Sequence, residues 1–131
     1  MKRKILIVED NVGLSQIQKD WLSRAGYDAV TAMSEPIARS LIRKTQFDLI
    51  LSDVRLPEGD GISLLEWLRK EKKDIPFIIT TEFVSVPDVV RTIKLGARDY
   101  LPKPVHREHL LELAEDVFHP VATVRKQERQ L

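Results

Sequence analysis

The sequence predicts an α/β fold, a doubly wound five-stranded parallel sheet in (βα)5 order. Three observations predict it. Short β-rich apolar runs alternate with amphipathic helical segments about five times along the 131 residues. The runs at 5–8, 49–51 and 77–79 are continuous rather than alternating, as in strands buried on both faces. A parallel return needs a crossover, and a helical segment stands in each interval to supply one.

The elements follow in order. Ile5, Leu6, Ile7 and Val8 form the first strand. Asn11 is placed to cap a helix whose apolar face reads Leu14, Ile17, Trp21, Leu22 and Ala25, with Gly26 as its stop. Residues 28–32 read as a second strand, and Ser34 caps a helix facing Ala38, Leu41 and Ile42 inward. Residues 48–53 form the third strand. Leu56-Pro57-Glu58-Gly59-Asp60-Gly61 is a loop by its Pro and Gly content. Ile62, Leu65 and Leu68 mark the third helix, and residues 77–81 the fourth strand. Ser85 with Asp88 resembles a capping box for a helix carrying Val89, Val90 and Ile93. Residues 99–101 are a short fifth strand, turned by Pro102-Lys103-Pro104. Leu110, Leu111, Ala114, Val117 and Phe118 give the last helix, which should end at His119, before Pro120. Residues 121–131 are largely polar and read as a tail or the start of a linker, leaving 1–120 as the domain.

Composition narrows the function. There is no cysteine, so disulfides and thiolate metal sites are impossible, and a reduced cytoplasmic setting is expected. Lys plus Arg is 21 and Asp plus Glu is 20, a formal net charge of +1 that gives no drive toward nucleic acid or an acidic membrane. The 43% hydrophobic and 31% charged content fits a folded chain. No apolar run approaches the roughly 18–20 residues of a membrane span.

Open α/β sheets bind ligands beyond the carboxyl ends of their strands. The first strand there presents Glu9 and Asp10, the third Asp53, the fourth Thr81, and the fifth is followed by Lys103. If these ends converge, three carboxylates share one pocket. Two like charges about 4 Å apart repel by roughly 4 kcal/mol at an effective dielectric near 20, so such a pocket calls for a cation or a proton. Oxygen-only donors favour a hard cation of the Mg2+ kind, and the Lys103 stem lets its ammonium reach an incoming anion. Taken singly each residue has an ordinary reading, as a helix-dipole partner, a strand terminus or a surface turn. The conjunction carries the weight. His106 and His109 are an exposed helix start rather than a metal grip, and Trp21 and Trp67 are packing or partly exposed helix residues rather than binding-site stackers.

The stretches Ile5-Leu6-Ile7-Val8-Glu9-Asp10-Asn11, Asp48 through Pro57, Asp60-Gly61, Thr81 and Gly96 through Pro104 resemble the receiver domain of two-component response regulators, a flavodoxin-like (βα)5 fold. The resemblance covers residues 4–119. Arg55-Leu56-Pro57 and Asp99-Tyr100-Leu101-Pro102-Lys103-Pro104 are most similar to receivers of nitrogen-regulatory-type enhancer-binding transcription regulators. The resemblance implies that Asp53 accepts a phosphoryl group from a sensor histidine kinase. It implies that Glu9, Asp10, Asp53 and the Arg55 carbonyl hold Mg2+, that Lys103 and Thr81 meet the phosphoryl oxygens, and that Tyr100 turns with Thr81. The Lys103–Pro104 bond would be cis. The fourth helix, fifth strand and fifth helix would be the output face toward an effector domain or partner, with a homodimer as one use of it. Arg91, Lys94, Arg98, Asp99, Glu112 and Asp116 lie there, and their mixed charges suit either symmetric cross-pairs or a solvated surface. No direct nucleic-acid contact is expected of this domain. It would be a switch rather than a turnover enzyme, catalysing only its own phosphorylation and slow dephosphorylation.

One departure stands out. The family commonly has a small residue after the switch Thr, and here it is Glu82, followed by Phe83. Facing the pocket, Glu82 would slow phosphorylation by small anionic donors; facing solvent, it would do little. The rival readings are few. A dehalogenase-type hydrolase needs a second Asp where Arg55 stands. A nucleotide or flavin binder would want a phosphate-cradling loop in place of Glu9-Asp10-Asn11. A receiver-like interaction module that takes no phosphate is the alternative that stays open.

Overall fold

A computed structural model describes residues 2–119. The expected tail at 121–131 lies outside the described residues. The order is β1 (Lys4–Val8), α1 (Val12–Arg24), β2 (Asp28–Ala32), α2 (Glu35–Lys44), β3 (Leu49–Asp53), α3 (Gly61–Lys70), β4 (Phe77–Thr81), α4 (Val86–Lys94), β5 (Asp99–Pro102) and α5 (Arg107–Phe118). The sheet is wholly parallel, in the order β2-β1-β3-β4-β5. Among the described residues, no helix is long and apolar enough to cross a membrane.

The continuous apolar runs are explained by two cores. In β1, Leu6 and Val8 point to one face, where they join Ile50, Ile79, Ile42 of α2 and Leu65 of α3. Ile5 and Ile7 point to the other, with Leu49, Leu51, Leu22 of α1 and Leu110 of α5. Strands alternate their side chains, so both halves of each run are buried, one beneath each helical layer.

The caps fall where the sequence puts them. Asn11, Ser34 and Ser85 each accept a backbone N–H at the start of a helix, from Leu14, Ile37 and Asp88. Gly26 sits at φ 98 just past α1, the conformation a helix stop requires.

Two helix faces differ from expectation. In α1 the buried residues are Ser15, Gln18 and Leu22, while Ile17 is exposed. The helix turns its small and amide side chains under; Ser15 Oγ donates to the Val12 carbonyl, which makes its burial tolerable. In α4 only Thr92 is buried, and its hydroxyl donates to the Val89 carbonyl. Val86, Val90 and Ile93 stand out in solvent. The loop after β3 also holds an element that turn composition did not announce, a two-residue antiparallel ladder of Arg55–Leu56 against Gly59–Asp60.

Candidate functional site

The parallel register lines up the strand ends. Asp53 pairs with Thr80 across β3 and β4, and Thr81 pairs with Pro102 across β4 and β5. The Glu9 amide carries the ladder one step past β1 by donating to the Ala32 carbonyl, and the Lys103 amide does the same past β5 toward Thr81. Residues 94 positions apart in sequence therefore meet at one edge.

The meeting is direct. Lys103 Nζ donates to Glu9 Oε1 at 2.7 Å and to Asp53 Oδ2 at 2.8 Å. All three side chains are at least nine-tenths buried. Asp10 is exposed at the mouth, and Glu9, Asp10 and Asp53 each offer an oxygen within 4.8 Å of the others. Asn11 N–H donates to Glu9 Oε2 at 3.0 Å, so both oxygens of that buried carboxylate are occupied. Burial pushes the Glu9 carboxyl above its ordinary range, and the Lys103 and Asn11 bonds only partly offset it. Burial alone would lower the Lys103 ammonium; its bonds to Asp53 and Glu9 together outweigh that and hold it above the ordinary lysine range.

The donor set suits a hard cation. It consists of carboxylate oxygens only, with no sulfur or imidazole, and two of its three members already share a positive charge from Lys103. The acidic cluster can therefore take a divalent metal ion. A recess of about 580 Å3 near Ile42, Phe47 and Pro76 lies at the opposite end of the sheet and contains none of the predicted site residues.

The loop after Asp53 is held from several sides. Arg55 N–H approaches Asp53 Oδ1 at 3.4 Å, and Gly61 N–H donates to the Val54 carbonyl at 2.7 Å. A side chain at Gly61 would collide with the Asp53 carbonyl oxygen, so this closure needs glycine. Gly59, at φ 145, lies against the Glu35 carboxylate, where a Cβ would stand 2.5 Å from Oε1. Glu35 is buried, pairs with Arg39, and accepts the Asp60 N–H at 3.0 Å. The sequence showed Glu35 only as the first residue of a helix, and nothing in its spacing announced that it anchors this loop.

The remaining predicted residues are placed as follows. Thr81 is buried, and its hydroxyl is engaged by Phe83: Oγ1 donates to the Phe83 carbonyl at 3.0 Å and accepts the Phe83 N–H at 3.1 Å. The Tyr100 hydroxyl is buried without a hydrogen-bond partner. Glu82 is exposed and is not one of the three clustered carboxylates. The Lys103–Pro104 bond is cis. Arg91 reaches Glu66 of α3 at 2.6 Å, so one charge of the expected output face is used within the molecule. Sequence reasoning missed the Arg55 guanidinium lying 4.8 Å from the centre of the Phe83 ring, a contact between two loops.

The response regulator receiver domain family matches residues 5–115. The chain belongs to that family. It is 40% identical over 114 residues to the transcriptional regulatory protein ZraR of Salmonella typhimurium, covering 87% of this chain and 26% of that protein. It is 33% identical over 112 residues to the response regulator protein PilR of Pseudomonas aeruginosa, covering 86% of this chain and 25% of that protein. The chain thus spans about a quarter of the length of these relatives. Among solved structures, the non-phosphorylated HemR receiver domain from Leptospira biflexa superposes with a TM-score of 0.84 at 36% identity, covering 90% of this chain and 95% of that one. A CheY-like receiver domain protein from Methanospirillum hungatei gives 0.85 at 28% identity, with both chains fully covered. The fold class and the family read from the motifs are both borne out.

Proposed function

We propose that Asp53 is the phosphoacceptor of a two-component phosphorelay and that the donor is a phosphohistidine on a sensor kinase. The observation that carries this reading is the Lys103 ammonium bridging Glu9 and Asp53, with Asp10 beside them. An Asp53 oxygen attacks phosphorus in line. The P–N bond to the donor imidazole breaks, its electron pair returns to the ring nitrogen, and a P–O bond to Asp53 forms an acyl phosphate. Glu9, Asp10, Asp53 and the Arg55 carbonyl would hold Mg2+, which when bound offsets charge on the transferring group. Lys103 then pairs with a phosphoryl oxygen, and the Thr81 hydroxyl takes another. Tyr100 accompanies Thr81. Slow hydrolysis of the acyl phosphate resets the protein.

The new group adds roughly two negative charges at a strand end. That charge favours one of two arrangements of the α4–β5–α5 surface, the face we assign to an output region or a partner copy. The exposed Val86, Val90 and Ile93 on α4 support this assignment. The relatives are transcriptional regulators, so a transcription effector is the output we favour, reached through the protein surface and not by direct contact of this domain with nucleic acid. A kinase charged by ATP places the exchange in the cytoplasm. We take 1–120 as the receiver and 121–131 as a tail or the start of a linker. Glu82, exposed at the rim, contributes a minor repulsion of anionic donors.

The test is labelling with acetyl phosphate or phosphoramidate and Mg2+. Wild type should gain one base-labile, hydroxylamine-sensitive phosphoryl group and Asp53→Asn none. An unlabelled wild type would favour the interaction module that takes no phosphate.

A further inference from the structure

Two loops flank the mouth of the acceptor site, and they are built differently. The loop after β3 is pinned by Glu35, by the Gly61–Val54 bond and by the Arg55–Leu56 ladder. The loop after β4 exposes Glu82, Phe83 and Val84. A side-chain contact crosses from this loop to the pinned one, the Arg55 guanidinium over the Phe83 ring at 4.8 Å. Phe83 is 61% exposed, so burial does not explain where its ring lies. The same residue holds both hydrogen bonds of the Thr81 hydroxyl through its backbone. A chain of contacts thus runs from Asp53 through Arg55 and Phe83 to Thr81.

We propose that Arg55 and Phe83 form a latch that keeps the Thr81 hydroxyl turned toward its own loop until a phosphoryl group arrives. The inference rests on Asp53 being the acceptor and adds two positioning residues to that reading. Thr81 has one hydroxyl, and Phe83 uses it as donor and acceptor together. To reach a phosphoryl oxygen it must give up its bond to the Phe83 carbonyl. The ring contact with the guanidinium on the fixed loop holds the Phe83 backbone where it engages that hydroxyl. Release of Thr81 and release of the ring are therefore coupled. Phe83 also leads into α4, so opening the latch frees the amino end of that helix.

An exposed cation–π contact shifts an equilibrium by about two- to fivefold. The latch opposes the phosphorylated arrangement, so removing it should tighten binding of a phosphoryl mimic by that factor. The experiment is a double-mutant cycle on the folded chain, with beryllofluoride and Mg2+ as probe and NMR titration as readout. Phe83→Leu keeps apolar bulk and removes the π face, and Arg55→Met keeps the stem and removes the charge. Phe83→Leu is expected to tighten binding about two- to fivefold when Arg55 is present and to leave it unchanged beside Arg55→Met. Without probe, the Thr81 methyl signal of Phe83→Leu should already lie partway toward its bound position. Equal effects of Phe83→Leu in both backgrounds, or no effect in either, overturns the latch. Failure of wild type to bind beryllofluoride overturns the acceptor reading itself, and the latch with it.

Discussion

α3 and α4 sit side by side on one face of the sheet, and each follows a strand that ends in a site residue. They are held very differently. α3 buries Gly61, Ile62, Leu64, Leu65 and Leu68, and its first turn is tied to the Asp53 loop. α4 buries Thr92 alone. Its carboxyl end hangs from Arg69 of α3, whose Nε donates to the Leu95 carbonyl at 2.7 Å and whose Nη2 donates to that of Gly96 at 3.3 Å. The other end leaves the Thr81 loop with Val84 and Val86 in solvent. The contrast suits a switch. On the proposed reading, the half that carries Asp53 must hold carboxylates at fixed distances, and the burial of Glu9 and Asp53 does that. The half that reports the charge must have two arrangements close in free energy, which a deeply packed helix would forbid.

The largest expected effect comes from breaking this contrast in the core. Leu65→Ala should lose about 2–5 kcal/mol of stability, because a fully buried side chain leaves a cavity. Ile93→Ala, at an exposed α4 position, should change stability by about 0.5 kcal/mol or less. Urea midpoints of the two variants check the pair, and equal losses would show α4 to be packed as firmly as α3. Next is the pivot. Arg69 also donates to the carbonyls of Lys73 and Ile75; Arg69→Met leaves the part-buried acceptors of Leu95 and Ile75 without that donor and should cost about 1–3 kcal/mol, while water can serve the exposed carbonyls of Lys73 and Gly96. Amide exchange should rise through 86–97 and stay near wild type in 61–68; a rise confined to α3 would refute the pivot. The smallest effect is at the rim. An exposed charge such as Glu82 is worth under about 1 kcal/mol. Glu82→Ala should therefore speed labelling by acetyl phosphate by no more than about fivefold. A larger gain would mean that the carboxylate reaches the pocket.

The strands were legible because a parallel sheet buries both faces, so Ile5 to Val8 could only be central. Glu9, Asp10, Asp53, Thr81 and Lys103 were legible as candidates because topology sends every strand end to one edge. The distances between them came only with the register. Helix faces were less legible. Apolar residues need not be buried, so Ile17 and Ile93 misled where Ser15 and Thr92 went inside with their hydroxyls bonded to the backbone. Loop-to-loop contacts carry no period at all. The Arg55–Phe83 pair and the Glu35 anchor join segments whose spacing says nothing about proximity.

The central claim, that one carboxylate captures the phosphoryl group, is tested most directly by trapping it. Borohydride reduction of the protein after exposure to phosphodonor and Mg2+ should convert the acyl phosphate to a homoserine at position 53, read by peptide mass spectrometry. Reduction at Asp10 or Glu9 instead, or phosphate found only on a hydroxyl or imidazole, would contradict the account.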